Sequence, residues 1–207
     1  MKKIYDITKE LLSCEVYKGD KEPVLQRVMR IQDGKEYNLS NVEMCLHNGT
    51  HMDAPYHFIE GGKTIDEIPL EDTIGTCVVA KGSGVLDHKA LRKLLDGLKK
   101  QFGTIERLLL KGKDTCLTLS GAKLIKEYDI CLIGVEGDTV GNPKVEQDIE
   151  QVHKELLGNG IVILEHLDLS QVEEKEYILF AQPLKIKGAD AAPCRAILME
   201  KEYIWRN

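Results

Sequence analysis

What this chain lacks narrows its possible work before any motif is read. No apolar run approaches the ~20 residues of a membrane span, and the opening MKKIYDITKE carries no apolar signal segment. Positive charge is not in excess. Lys and Arg number 28 against 34 Asp and Glu, a formal net charge of −6 with a pI near 5.6. That balance argues against nucleic acid or an anionic membrane as partner. The six cysteines form no C-x-x-C pair, and several sit inside apolar runs. They read as reduced cytoplasmic thiols used as small core residues, not as a disulfide frame. No Ser-His-Asp ordering, G-x-S-x-G elbow or P-loop is present, so a covalent serine nucleophile or phosphoryl transfer has little support. No repeat, low-complexity segment or linker divides the 207 residues, which are expected to form one domain, 1–207, with a substantial core.

Strand and helix patterns alternate along the chain, which points to α/β architecture. KIYDIT (3–8) reads as a short strand and 9–23 as a loop, broken by Gly19 and Pro23. Segment 24–32 is a candidate strand, Asp33 and Gly34 a turn, and 35–46 a further strand. IGTCVVAK (74–81), ERLLLKG (106–112) and DICLIGVEG (129–137) read as strands. Asp87 fits the N-cap of an amphipathic helix whose Leu91, Leu94, Leu95 and Leu98 follow the helical period. His88, in its first turn, reads as solvated. Ser120 is the expected cap of a short helix through Lys126. Asn142 and Pro143 are the expected N-cap and first residue of the last helix, with Val145, Ile149, Val152 and Leu156 as its apolar stripe. Residues 161–164 read as a central strand. The segment 174–201 reads as two strands joined by a turn near Gly188.

Against this background one stretch stands out, HNGTHMDAPYHF at 47–58. It holds three of the six histidines together with Asp53. Imidazole and carboxylate at this density are a metal-site signal by residue type. His47, His51, Asp53 and His57 are all odd-numbered, so an extended backbone would turn all four to one side. Gly49 and Pro55 argue against a helix interior. The expectation is a strand end or extended loop that lays ligand-type groups along one wall. Cys45 shares the parity and could join them, although a strand residue is its simpler reading.

Elsewhere, His153 borders the buried face of the last helix, where a lone histidine is ordinarily a hydrogen-bonded core-edge residue. Glu165 ends an apolar run. It is either a strand-end surface residue or a carboxylate that needs a partner or a metal. His166 has the opposite parity and is expected to face away from Glu165's partners. Tyr17, in the early loop, reads as a surface residue. Taken together, Asp53 and Glu165 are candidate bridges between two ions and His153 a candidate terminal ligand. His57 is a candidate general acid/base left off the metal, with an ordinary pKa of ~6.5 suited to that work. Imidazole and carboxylate without thiolate suit Zn²⁺ or Mn²⁺, ions that acidify water and polarise a carbonyl. Hydrolysis of an amide, ester or lactone is the natural reaction class, and a purely structural metal in a non-catalytic module is the competing one.

At these residues the chain resembles the metal-dependent cyclase-like hydrolases, whose best-known bacterial members are arylformamidases (kynurenine formamidases). HNGTHMDAPYHF resembles that family's H-x-G-T-H-x-D-x-P-x-H-F signature. YDIT…VYKGD, QVHKELLGNGIVILEHL and PLKIKGADAAPCRAIL resemble its opening, helix-then-strand and closing segments. The resemblance implies a sandwich built on a mixed β-sheet with flanking helices, in a homodimer or larger oligomer. It implies two metal ions, with His47, His51, Asp53, His153 and Glu165 as ligands and His57 as proton donor/acceptor. It also implies a place for the chain in tryptophan catabolism, with a small amide, N-formylkynurenine, as substrate. Tyr17 matches the position of a substrate-contacting tryptophan. Three departures lie where substrate choice could be decided. Tyr17 replaces that tryptophan, Lys18 replaces the proline after it, and GVEGDTVGNP stands where a G-x-D-T/S-x-S pattern is usual. The family also includes Mn²⁺-dependent isatin-type hydrolases, which keeps a cyclic amide or lactone open as the alternative substrate.

Overall fold

The structure, a computed structural model, describes residues 4–204. Its strands are β1 (Ile4–Asp6), β2 (Val24–Met29), β3 (Leu39–Glu43), β4 (His51–Asp53), β5 (Ile74–Lys81), β6 (Val85–Leu86), β7 (Arg107–Lys111), β8 (Cys116–Leu117), β9 (Leu132–Val135), β10 (Val162–Glu165), β11 (Glu176–Phe180), β12 (Ala191–Pro193) and β13 (Ile197–Met199). Its α-helices are α1 (Leu70–Thr73), α2 (His88–Phe102), α3 (Leu119–Glu127), α4 (Glu146–Gly158) and α5 (Lys201–Ile204). Among the described residues, nine strands form one mixed sheet in the order β1-β13-β11-β5-β7-β9-β10-β4-β12. The centre, β5-β7-β9-β10, is parallel, and antiparallel strands flank it on both sides. The fold is the expected α/β sandwich of a mixed sheet with flanking helices. No helix among the described residues is long and apolar enough to cross a membrane.

The central strands are apolar on both faces because both faces are covered. Val78, Ala80, Leu108, Leu110, Ile133, Val135 and Ile163 point into one core, shared with Leu91 and Leu95 of α2, Leu124 and Ile125 of α3, and Val152 and Leu156 of α4. Their odd–even neighbours, Cys77, Val79, Leu109, Leu132, Val162 and Leu164, point into a second core, closed by Ile7, Leu167, Leu169, Val172 and Tyr177. Cys77, Cys116 and Cys194 are buried, Cys14, Cys45 and Cys131 are half-buried, and all six are free thiols.

Several boundaries differ from the sequence expectation, each for a local reason. The N-cap of α3 is Thr118, whose hydroxyl accepts from Gly121 N–H at 3.2 Å. Ser120 lies inside the helix. Asn142 does not cap α4. Its Oδ1 takes Lys144 N–H and its carbonyl takes Val145 N–H, so Asn142 and Pro143 build a turn, and the helix begins at Glu146 without a side-chain cap. Cys45 lies past the end of β3, not in a strand. The segment 174–201 holds three strands. β11 and β13 pair with each other, while β12 lies at the far edge of the sheet against β4. Residues 24–43 form a separate two-stranded hairpin, β2–β3, turned at Gly34 with φ 77°. It leaves Val24, Val28, Ile31, Tyr37, Leu39 and Val42 exposed.

Candidate metal centre and its pocket

The register of β4 against β10 builds the floor of the site. His51 lies opposite Glu165, and Asp53 opposite Ile163. Directly opposed residues of an antiparallel pair share a face, and Ile163 belongs to the helix-side core. His51, Asp53 and Glu165 therefore point toward the helices. α4 crosses above them, and its Val152 and Leu156 anchor it to the sheet. His153, beside that apolar stripe, is carried down onto the carboxylates. Gly141 permits this approach, since a Cβ there would stand 2.6 Å from the Ile149 Cα.

The four window residues do converge, but not along one extended strand. Only His51–Asp53 is strand. His47 lies in a turn and His57 ends the 3₁₀ helix Pro55–His57. Turn, strand and 3₁₀ helix together wrap the groups around Asp53. His47 Nδ1 is 3.2 Å and His51 Nε2 3.3 Å from Asp53 Oδ1, and His153 Nε2 is 3.5 Å from Asp53 Oδ2. Glu165 closes the ring, with Oε1 3.3 Å from His153 Nε2 and Oε2 3.6 Å from His51 Nε2.

Which nitrogen faces inward is set from outside the cluster. His51 Nδ1–H donates to the Gly49 carbonyl at 2.9 Å, and His153 Nδ1–H to the Ile149 carbonyl at 2.7 Å. His47 Nε2–H donates to Asp190 Oδ2 at 3.0 Å. In the neutral rings, the nitrogen left over presents a lone pair to Asp53 or Glu165. A lone pair facing a carboxylate is repulsive unless a cation lies between them. His51 Nε2 and both Asp53 oxygens are buried with no hydrogen-bond partner, a costly state for a carboxylate unless something else compensates it.

The residues fit a divalent ion on three counts. The donors are imidazole and carboxylate; the buried atoms are orphaned; and the separations of 3.2–3.6 Å match the ~3.3 Å between neighbouring ligands in a tetrahedral site with ~2.0–2.1 Å bonds. Two sets are close enough to share an ion, His51, Asp53 and Glu165, and His47, Asp53 and His57. Asp53 belongs to both.

The electrostatics agree. Burial would raise the Asp53 carboxyl, but His153, His47 and His51 hold it well below its ordinary value. Burial would lower His47, but Asp53 and Asp190 push it up to about 9. Asp53 and Glu165 likewise push His153 up to about 10 against burial. His57 differs. Burial lowers it, and His47 and His153 lower it further against the pull of Asp53.

A pocket of about 240 Å³ opens onto the cluster. His47, His51, His57, His153 and Glu165 line it, and so does Tyr17, which is 47% exposed. Phe58 and Ile149 add an apolar wall, and Asp138 and Thr139 a polar one. Cys45 is not among the lining residues, and His88 bonds to Arg92 on the surface of α2.

Sequence reasoning missed two residues here. Asp190 orients His47; the only signal for it was an aspartate within the closing GADAA stretch. His166 was expected to turn away from the site, yet it lines the pocket with its ring 5.8 Å from that of His51. Its φ of 57° ends the strand's alternation, so parity past Glu165 carries no information.

A buried imidazole–carboxylate centre under an α/β sandwich defines a metal-dependent hydrolase. The chain belongs to the Cyclase family, whose model, described as "Putative cyclase", matches residues 5–110. It is 30% identical to a kynurenine formamidase of Erythrobacter litoralis, over 96% of this chain and 94% of that one. A structure described as a predicted metal-dependent hydrolase, from Bacillus stearothermophilus, superposes with a TM-score of 0.78 at 27% identity, over 96% and 98% of the two chains. Isatin hydrolase A from Labrenzia aggregata shares the fold, with a TM-score of 0.82 at 23% identity over 95% and 93%.

Proposed function

We infer that this chain is an arylformamidase-like enzyme that hydrolyses the amide bond of a small aryl formamide, N-formylkynurenine, to kynurenine and formate. The observation that carries the reading is the Asp53 carboxylate, buried without a hydrogen-bond partner at the meeting point of three histidines and close to Glu165. His47, His51, Asp53, His153 and Glu165 would hold two divalent ions, Zn²⁺ suiting the donors best and Mn²⁺ second. Such ions supply Lewis acidity, lowering the pKa of water and polarising a carbonyl.

The protein's own groups do the rest. The apolar wall of Phe58 and Ile149, together with the ring of Tyr17, suits the aryl ring. His57, kept neutral near pH 7 by its surroundings, is able to take a proton from water as that oxygen adds to the formyl carbon. Its Nδ1 lies 3.6 Å from Asp190 Oδ2, outside hydrogen-bond reach, so no hydrogen bond among the described residues ties up either ring nitrogen. The C–N bond then breaks, His57 returns the proton to the departing amine nitrogen, and formate is released. The exposed apolar residues of the β2–β3 hairpin support a homodimer or larger assembly, and the free cysteines support a cytoplasmic location.

Metal analysis of protein purified without added metal, followed by assays on N-formylkynurenine and on isatin with Zn²⁺ and with Mn²⁺, tests the reading. Preference for isatin would overturn the substrate assignment in favour of a cyclic amide. His57→Ala is expected to keep the metal and to lose turnover by about 10²- to 10⁴-fold, the usual contribution of a general acid/base. Unchanged turnover would remove His57 from the mechanism.

A further inference from the structure

His166 is a buried, pocket-lining group that the mechanism above does not use. It is also one of two non-glycine residues among those described with a positive φ, at 57°. An L side chain is held in that region only when its surroundings over-determine it, and such residues concentrate at functional sites.

The surroundings here are built. The Thr50 hydroxyl, in a residue only 2% exposed, donates to the His166 carbonyl at 2.6 Å and accepts from Lys9 N–H at 2.9 Å. His166 N–H donates to the Gly137 carbonyl at 3.2 Å. The same Lys9 brings its ammonium to His166 Nδ1, at 3.4 Å, while the Asp138 carboxylate, at 3.7 Å, is beyond hydrogen-bond reach. An ammonium only donates, so Nδ1 is the accepting nitrogen and the ring proton sits on Nε2. No described residue partners Nε2, and the ring lines the pocket. His51 and His153 are the reverse: their Nδ1–H groups are satisfied by carbonyls and their Nε2 lone pairs face carboxylates. Lys9 thus converts the third imidazole from a would-be ligand into a hydrogen-bond donor.

We propose that His166 is a specificity-determining residue, its Nε2–H donating to a second oxygen of the substrate, a carbonyl or carboxylate on the arm of the ring beside the formamide. The proposal rests on the formamidase reading and narrows it to aryl formamides that carry such an oxygen. The apolar wall of Phe58 and Ile149, together with the ring of Tyr17, takes the aryl ring, and His166 reads what that ring carries.

The test compares N-formylkynurenine, which has that oxygen, with formanilide, which has not. His166→Asn removes the imidazole while keeping a residue that tolerates positive φ. The expected result is a loss of about 10-fold or more in kcat/KM for N-formylkynurenine, mostly through KM, with a clearly smaller loss on formanilide and metal content retained; a hydrogen bond worth about 1.4 kcal/mol corresponds to that factor. Lys9→Met, which removes the donor that fixes the ring, is expected to shift the preference in the same direction. Equal losses on the two substrates, or loss of metal, would show a merely structural residue and overturn the proposal. Wild-type protein that hydrolyses neither substrate would overturn the formamidase reading along with it, so the two failures are told apart by which protein fails.

Discussion

Four of the five histidines that line the pocket are oriented by the partner on the outer nitrogen. Carbonyls fix His51 and His153, Asp190 fixes His47, and Lys9 fixes His166. Side-chain identity was legible in the sequence, and the two carbonyls are local, two and four residues from their histidines, but Asp190 and Lys9 come from segments 143 and 157 residues away and no local pattern announces them. The residue scale also gives a pH test. Without metal, the carboxylates draw protons onto His47 and His153, raising them from 6.5 to about 9 and about 10. A group raised on folding adds stability that is full below its unfolded value and is lost as the pH climbs through its folded one. Metal-free protein should therefore lose stability between about pH 6.5 and about pH 10, while metal-loaded protein, whose imidazoles are neutral ligands, should lose much less over the same window. Denaturant midpoints at the two ends of that window, with and without chelator, check this. Equal losses in both forms would contradict it.

At the scale of elements, the long apolar strands were the easiest to read. Residues 74–81 form β5 as expected, and its buried middle, 77–80, is the continuous apolar run that a strand covered on both faces needs. Asp87 caps α2 as expected, accepting Ala90 N–H at 2.8 Å. Asn142 misled because its turn-forming and helix-capping chemistries are the same, and only the tertiary course of the chain chooses between them. The parity argument for residues 47–57 reached the right convergence through the wrong local geometry. Packing of α4 over the sheet matters more to the site than any capping residue. Gly141→Ala puts a methyl group against the α4 backbone, and overpacking of this kind costs about 1–3 kcal/mol. We expect that loss in chemical denaturation, together with weaker metal retention as His153 is lifted from Glu165. A variant as stable as wild type, with full metal, would show that α4 has room to move.

For the whole molecule, the sequence pointed to α/β class but not to strand order. β4 and β12 join the sheet beside β10 although more than a hundred residues separate β4 from either partner, and nothing local announces such a pairing. That pairing is what unites the histidine stretch with Glu165, so fold and site are one arrangement. The account depends on Asp53 being shared between ions. Metal content per chain for wild type and Asp53→Asn, with circular dichroism to confirm folding, is the most direct measurement. The account predicts about two divalent ions in wild type and close to none in a folded Asp53→Asn. A folded variant that keeps the full complement would contradict it.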